Sequence, residues 1–150
     1  MRKLALAASI VGIFAGLAGA SHGSGEILQG NIAPSEIMIK AWPDLTLLGG
    51  EPTMTVVPSF LVTGVLTIIF GLLVAAWAGK FVSRKSGGLV LILLSIVMLL
   101  VGGGIVPPMF GVAAGIIAIL NYKTESMEVL TNEQSLDCLW YAVWSNSQHI

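Results

Sequence analysis

Between Leu89 and Leu120 the chain runs for 32 consecutive residues without a charged side chain. A soluble domain has no place for such a run, because a hydrophobic stretch of about 18 or more residues without charge matches the length that spans a lipid bilayer. A bilayer core of roughly 30 Å takes about 20 residues of helix at about 1.5 Å each. A straight 32-residue helix of about 48 Å is too long for one crossing even at a tilt of ~40°. The middle of the run, GGGIVPP, supplies the breakers. Glycine lowers helix propensity, and proline disfavours helical geometry in the residue before it. The spacing therefore predicts a tight helical hairpin with legs over about 87–102 and 107–122, turning through Gly102, Gly103, Gly104, Pro107 and Pro108. A re-entrant loop is the alternative to two crossings. Both legs are short, so Arg84, Lys85 and Lys123 are expected to reach out toward the headgroups.

Two further uncharged stretches compete for the bilayer. Pro58 to Gly79 covers 22 residues, and Pro58 suits a first helical turn, where its missing N–H would have no partner. Leu4 to Ala20 is the other. Arg2 and Lys3, an apolar core and then Ala18-Gly19-Ala20 also have the layout of a secretory signal with an A-x-A cleavage site. The length of the apolar part and the glycines Gly12 and Gly16 favour a retained helix.

Composition agrees with this reading. Hydrophobic residues make up 55% of the 150 and charged residues 10%, against roughly 25% charged in soluble domains. The mean hydropathy is +0.91. Seven Lys+Arg against eight Asp+Glu leave a net charge of -1, with no basic excess to hold a nucleic-acid backbone. A single cysteine excludes an intramolecular disulfide framework, and two histidines near opposite ends make a Cys/His metal site unexpected.

The expected fold class is all-α, a four-transmembrane-helix bundle with an outer loop and a short cytoplasmic tail. The membrane domain covers 1–123, with helices about 4–20, 58–79, 87–102 and 107–122 and an outer loop over 21–57. Arg2, Lys3, Lys80, Arg84, Lys85 and Lys123 fall on one side of this arrangement and Lys40 alone on the other. Lysine and arginine accumulate on the cytoplasmic side, so both termini are expected there, in the cell membrane. The loop is rich in Gly and Pro, with a short helix or strand at most around Ser35 to Trp42. Trp42 either anchors at the interface or covers a local apolar cluster. The tail, 124–150, is expected to carry a short amphipathic helix on which Leu136, Leu139, Trp140, Val143 and Trp144 share a face. Cys138 lies on that segment and is read as a reduced thiol, with palmitoylation as the alternative.

No catalytic, cofactor-binding or metal-binding residue is apparent. The chain lacks H-E-x-x-H, G-x-S-x-G and paired intramembrane aspartates. Intramembrane ionisable groups mark transport pathways, and the four expected spans hold none. That counts against small four-helix proton-coupled exporters, which carry a carboxylate in the first helix. Ser9, Thr63, Thr67 and Ser95 are the polar residues within the spans, and each hydroxyl can bond to a carbonyl one turn earlier. The spans do carry small residues at a spacing of four, the pattern that lets membrane helices approach closely. Ala8, Gly12, Gly16 and Ala20 form one such ridge, Gly71, Ala75 and Gly79 a second, and Gly111 and Gly115 a third. Substitution at Gly71 or Gly111 is expected to disturb assembly more than substitution at Leu91.

The order helix, basic loop, GGLVLILLS, GGG, PP and AAGIIAIL followed by Lys123 resembles the small four-helix integral membrane proteins of unknown function found in Gram-positive bacteria. The similarity covers about residues 58–123. It implies a topology and transfers no functional residue. The resulting expectation is a non-enzymatic membrane component, an accessory, scaffold or envelope-associated protein acting through helix contacts. Its partners would be the lipid bilayer and either a second copy or another membrane protein. An oligomeric channel or transporter for a neutral or apolar solute, lined by Thr63, Thr67 and Ser95, is the alternative, and a lipid-modifying enzyme would need a nucleophile or metal site that the sequence lacks.

Overall fold

The computed structural model describes residues 2–34, 37–41 and 51–147. Among them the chain forms α1 (Arg2–Leu28), α2 (Phe60–Lys80), α3 (Gly87–Leu100) and α4 (Val106–Ser147). A two-stranded antiparallel sheet, β1 (Met38–Ala41) and β2 (Glu51–Met54), stands between α1 and α2. Its register sets Ile39 opposite Thr53 and Met38 opposite Met54. By length and apolarity, Lys3–Leu28, Phe60–Lys80 and Val106–Asp137 can each cross a membrane. At 14 residues, α3 rises only about 21 Å.

The four helices alternate in direction, and small residues set their contacts. Along α1 and α2, Gly12 faces Ala78, Gly16 faces Gly71 and Ala75, and Gly23 faces Gly64. A methyl group on Gly71 would stand 2.6 Å from the Gly16 carbonyl oxygen and 2.7 Å from the Ala20 nitrogen. Backbone therefore meets backbone along this seam, which is the geometry in which apolar helices gain dispersion contacts that lipid cannot match. Along α3 and α4, Gly115 faces Gly88 and Ile92, and Gly111 meets Ser95. Phe14 and Phe110 join α1 to α4 edge to face, 6.1 Å between ring centroids. Val74, Leu91, Met98 and Ala114 are fully buried at the centre.

This arrangement creates two distinct ends. At the hairpin end lie the sheet, the start of α2 and the connection between α3 and α4. At the loop end lie the start of α1 and the 81–86 connection. There Lys3 and Lys80 share an open pocket of about 380 Å³ with Ser9, Gly79 and Ser83. Trp77 donates its indole N–H to the Gly87 carbonyl at 3.0 Å, and Phe81 and the Arg84 guanidinium stack in turn beyond it.

Several boundaries differ from the sequence expectation, each for a local reason. α1 does not stop near residue 20 but continues to Leu28, so 21–28 is helix rather than loop. Its buried stripe continues at helical spacing through Gly19, His22, Gly23 and Glu26, and the helix stops two residues before Gly30, whose φ of 81° suits the glycine that follows a helix C-cap. α2 starts at Phe60 rather than Pro58, because Ser59 takes the N-cap and accepts from Val62 N–H. α3 ends at Leu100, two residues early, where Gly102 and Gly104 adopt φ of 105° and 71°. Pro107 and Pro108 do not form the turn with the three glycines. They occupy the first turn of α4, where absent N–H groups cost nothing.

α4 also passes residue 122 without a break and reaches Ser147. The tail is therefore no separate short helix but the continuation of one 42-residue rod of about 63 Å. Burial along it stops at Asn121, and 127–137 is exposed throughout. Leu91, expected to be the tolerant position, is fully buried and stands 3.3 Å from where a Cβ on Gly12 would lie. Trp42 and His149 lie outside the described residues.

Candidate functional site

Polar groups are scarce in this chain, and the structure gathers an unusual share of them at the hairpin end. Thr53, Thr55, Thr63, Thr67, His22 and Glu26 are all buried there. Glu26 has 0% exposure and His22 7%. Four elements contribute. α1 brings His22 and Glu26, one helical turn apart and so on one face. α2 brings Thr63 and Thr67, also one turn apart, and β2 with the residue following it brings Thr53 and Thr55. The glycines Gly102–Gly104, between α3 and α4, fill the space the others leave.

Hydrogen bonds lace the cluster together. Thr53 donates to the Gly102 carbonyl at 3.0 Å and accepts from Gly104 N–H at 3.3 Å, closing the glycine turn from the sheet side. Thr55 and Thr63 share a hydroxyl–hydroxyl bond at 3.0 Å, and Thr55 also accepts from Val57 N–H. Val56 N–H donates to the Leu100 carbonyl, so the strand exit is tied to the end of α3. Thr67 donates to the Val101 carbonyl at 2.9 Å. The frayed C-terminus of α3 thus finds in α2 and the sheet the partners its own helix cannot supply.

The glycine turn presses directly on the two ionisable side chains. A Cβ on Gly102 would lie 2.6 and 2.8 Å from the Glu26 carboxyl oxygens, and one on Gly104 would lie 3.4 Å from the His22 ring. Both positions favour glycine through their positive φ, and at Gly102 there is also no room for a side chain. Neither oxygen of Glu26 receives a hydrogen bond. The Thr67 hydroxyl stands beside the carboxyl, but its one hydrogen is directed to Val101.

The premise that the apolar helices shelter no ionisable side chain is therefore overturned. Glu26 and His22 belong to α1, within the segment able to cross a membrane, and both are buried. The signal was present in the sequence as a second pair at the same spacing, Gly19 and Gly23, beside the ridge of Ala8, Gly12, Gly16 and Ala20. The polar residues SHGSGE masked it.

The helix-packing residues fall into three places. Gly12, Gly16, Gly71 and Ala75 lie in the α1–α2 seam, Gly111 and Gly115 in the α3–α4 seam, and Gly79 is only in ordinary contact with Ile13 at 3.7 Å. Ser95 bonds to the Leu91 carbonyl one turn earlier, whereas Ser9 reaches across to the Ala78 carbonyl at 2.9 Å. Ser9, Thr63 and Thr67 thus bond between elements, which the one-turn rule does not foresee. Among the described residues no three His, Cys, Asp or Glu side chains come together as a metal site would require. No family model, no curated protein and no solved structure matches this chain.

Proposed function

We propose that the chain is a multi-pass membrane protein that acts without catalysis as an accessory or scaffold component of the cell membrane. In this reading all four helices cross, with the hairpin outside and both termini in the cytoplasm. The short α3 crosses with help from Arg84 and Lys85 at its entry and the glycine turn at its exit. The placement of Lys3, Lys80, Arg84 and Lys85 at the loop end supports that orientation.

The observation that carries the scaffold reading is α4. Its membrane part is packed into the bundle, yet the same helix runs on past Asn121 with Met127, Val129, Leu130 and Leu136 exposed. A helix polar all round would need no partner, whereas exposed apolar residues on a rigid extension make a presenting surface. The test places a photoreactive residue at Leu130, and for comparison at the exposed bundle position Leu72, in native membranes. A discrete protein adduct at 130 and none at 72 is expected. Absence of any protein adduct at 127, 130 and 136 would overturn the reading.

A solute pore within one chain is less well supported. The hydroxyls that would line it, on Thr63, Thr67 and Ser95, face inward; Thr67 and Ser95 bond to backbone carbonyls and Thr63 to the Thr55 hydroxyl. The groove between α3 and α4, about 350 Å³, is lined by Ile96, Leu99, Met109 and Val112 and is apolar.

A further inference from the structure

Glu26 is the one acidic side chain among the described residues with no exposure at all, and no role in holding the fold accounts for its charge. A carboxylate withdrawn from water without donors is among the costliest groups to bury. The hydroxyls and the backbone N–H of the turn that stand nearest are already committed. Thr67 spends its hydrogen on Val101, and Thr53 spends its own on Gly102. The Gly104 N–H is given to Thr53. What these neighbours leave on offer is lone pairs, above all on Thr67 Oγ1, which donates one hydrogen bond and can still accept. An environment of acceptors around a carboxyl suits an O–H and repels an O⁻.

From these contacts we infer that Glu26 is a proton-binding site, closed over by the glycine turn that Thr53 of the sheet holds in place, with Thr67 Oγ1 as acceptor for the carboxyl hydrogen. Among the described residues, Thr67 from α2 and the uncharged Gly102 of the turn stand against it, Thr63 lies against the same glycine, and His22 precedes it by one turn on α1. His22 is the one titratable neighbour among the described residues. On release the carboxyl O–H bond breaks, its electron pair stays on Glu26 and the proton passes to water at the hairpin end. That water is reached only when Thr53 parts from the turn. Proton exchange and docking of the hairpin are thereby linked.

The test is infrared difference spectroscopy on the full-length protein in liposomes, wild type minus Glu26→Gln. At about pH 6 the C=O stretch of a protonated carboxylic acid is expected in the wild type and lost in Glu26→Gln. It should shift in D₂O and convert to carboxylate bands when the pH is raised. Thr67→Val keeps the carboxyl and serves if Glu26→Gln fails to fold; its acid band should move to higher frequency through loss of the acceptor. In Thr53→Val, which loosens the cover, D₂O exchange should be about tenfold faster than in the wild type. Three results would each overturn the inference. The first is no acid band at about pH 6, which would place the proton on His22 beside a carboxylate. The second is a band unmoved by pH and D₂O. The third is loss of the band on adding Na⁺ at constant pH, which would identify a metal cation as the ligand.

Discussion

The two ends of the bundle handle polar groups in opposite ways. At the loop end Lys3 and Lys80 border an open pocket, Arg84 lies over the Phe81 ring, and charge stays close to water. At the hairpin end hydroxyls, a histidine and a carboxyl are drawn inward, with four threonines each bonded to another segment of the chain. The loop end can change residue by residue, since water replaces whatever is lost. The hairpin end is interlocked, so each group there depends on the placement of several others. The contrast teaches that an apolar chain can tolerate a buried carboxyl where tertiary hydrogen bonds already organise the space around it.

The sharpest break of that contrast comes from the glycine turn. Gly102→Val combines a φ of 105° with a collision against Thr63 and Glu26, and is expected to cost more than about 4 kcal/mol or abolish folding in detergent. Leu91→Ala, in the packed centre between the ends, should lower stability by about 2–4 kcal/mol in thermal unfolding. A value near zero would mean that the side chains around Leu91 close over the gap. Thr67→Val removes one buried bond and strands the Val101 carbonyl, for about 1–2 kcal/mol by the same assay. Gly79→Ala, at the loop end, should change stability by no more than about 1 kcal/mol in either direction, since its added methyl meets only Ile13 at ordinary distance. If Gly79→Ala proved as damaging as Gly102→Val, the two ends would not differ as described.

Much of this architecture is legible in the residues. The uncharged runs announce apolar helices, and the glycine triplet marks where the long run must break. The four-residue spacing of Gly12, Gly16, Gly71 and Gly115 falls in the seams. The polar cluster is not legible in the same way. Thr53 and Gly102 are separated by 49 positions, and Thr67 and Val101 by 34, so no local pattern pairs them. Glu26 reads as a solvated loop residue because its neighbours Ser21, His22, Gly23, Ser24 and Gly25 have loop-like chemistry. In the folded chain that segment is helical because its small residues continue the close contact with α2.

By itself the sequence determined that this chain seeks an apolar surrounding, where its helices must break, and which faces can approach. Those properties follow from transfer free energy, backbone dihedral limits and side-chain size, all of which act locally. Only the tertiary structure decided that α1 would carry a carboxyl into the bundle, that a glycine turn bonded to a two-stranded sheet would close against it, and that α4 would continue beyond the packed region. Those outcomes depend on where distant backbone carbonyls and hydroxyls meet, which chain order alone does not encode.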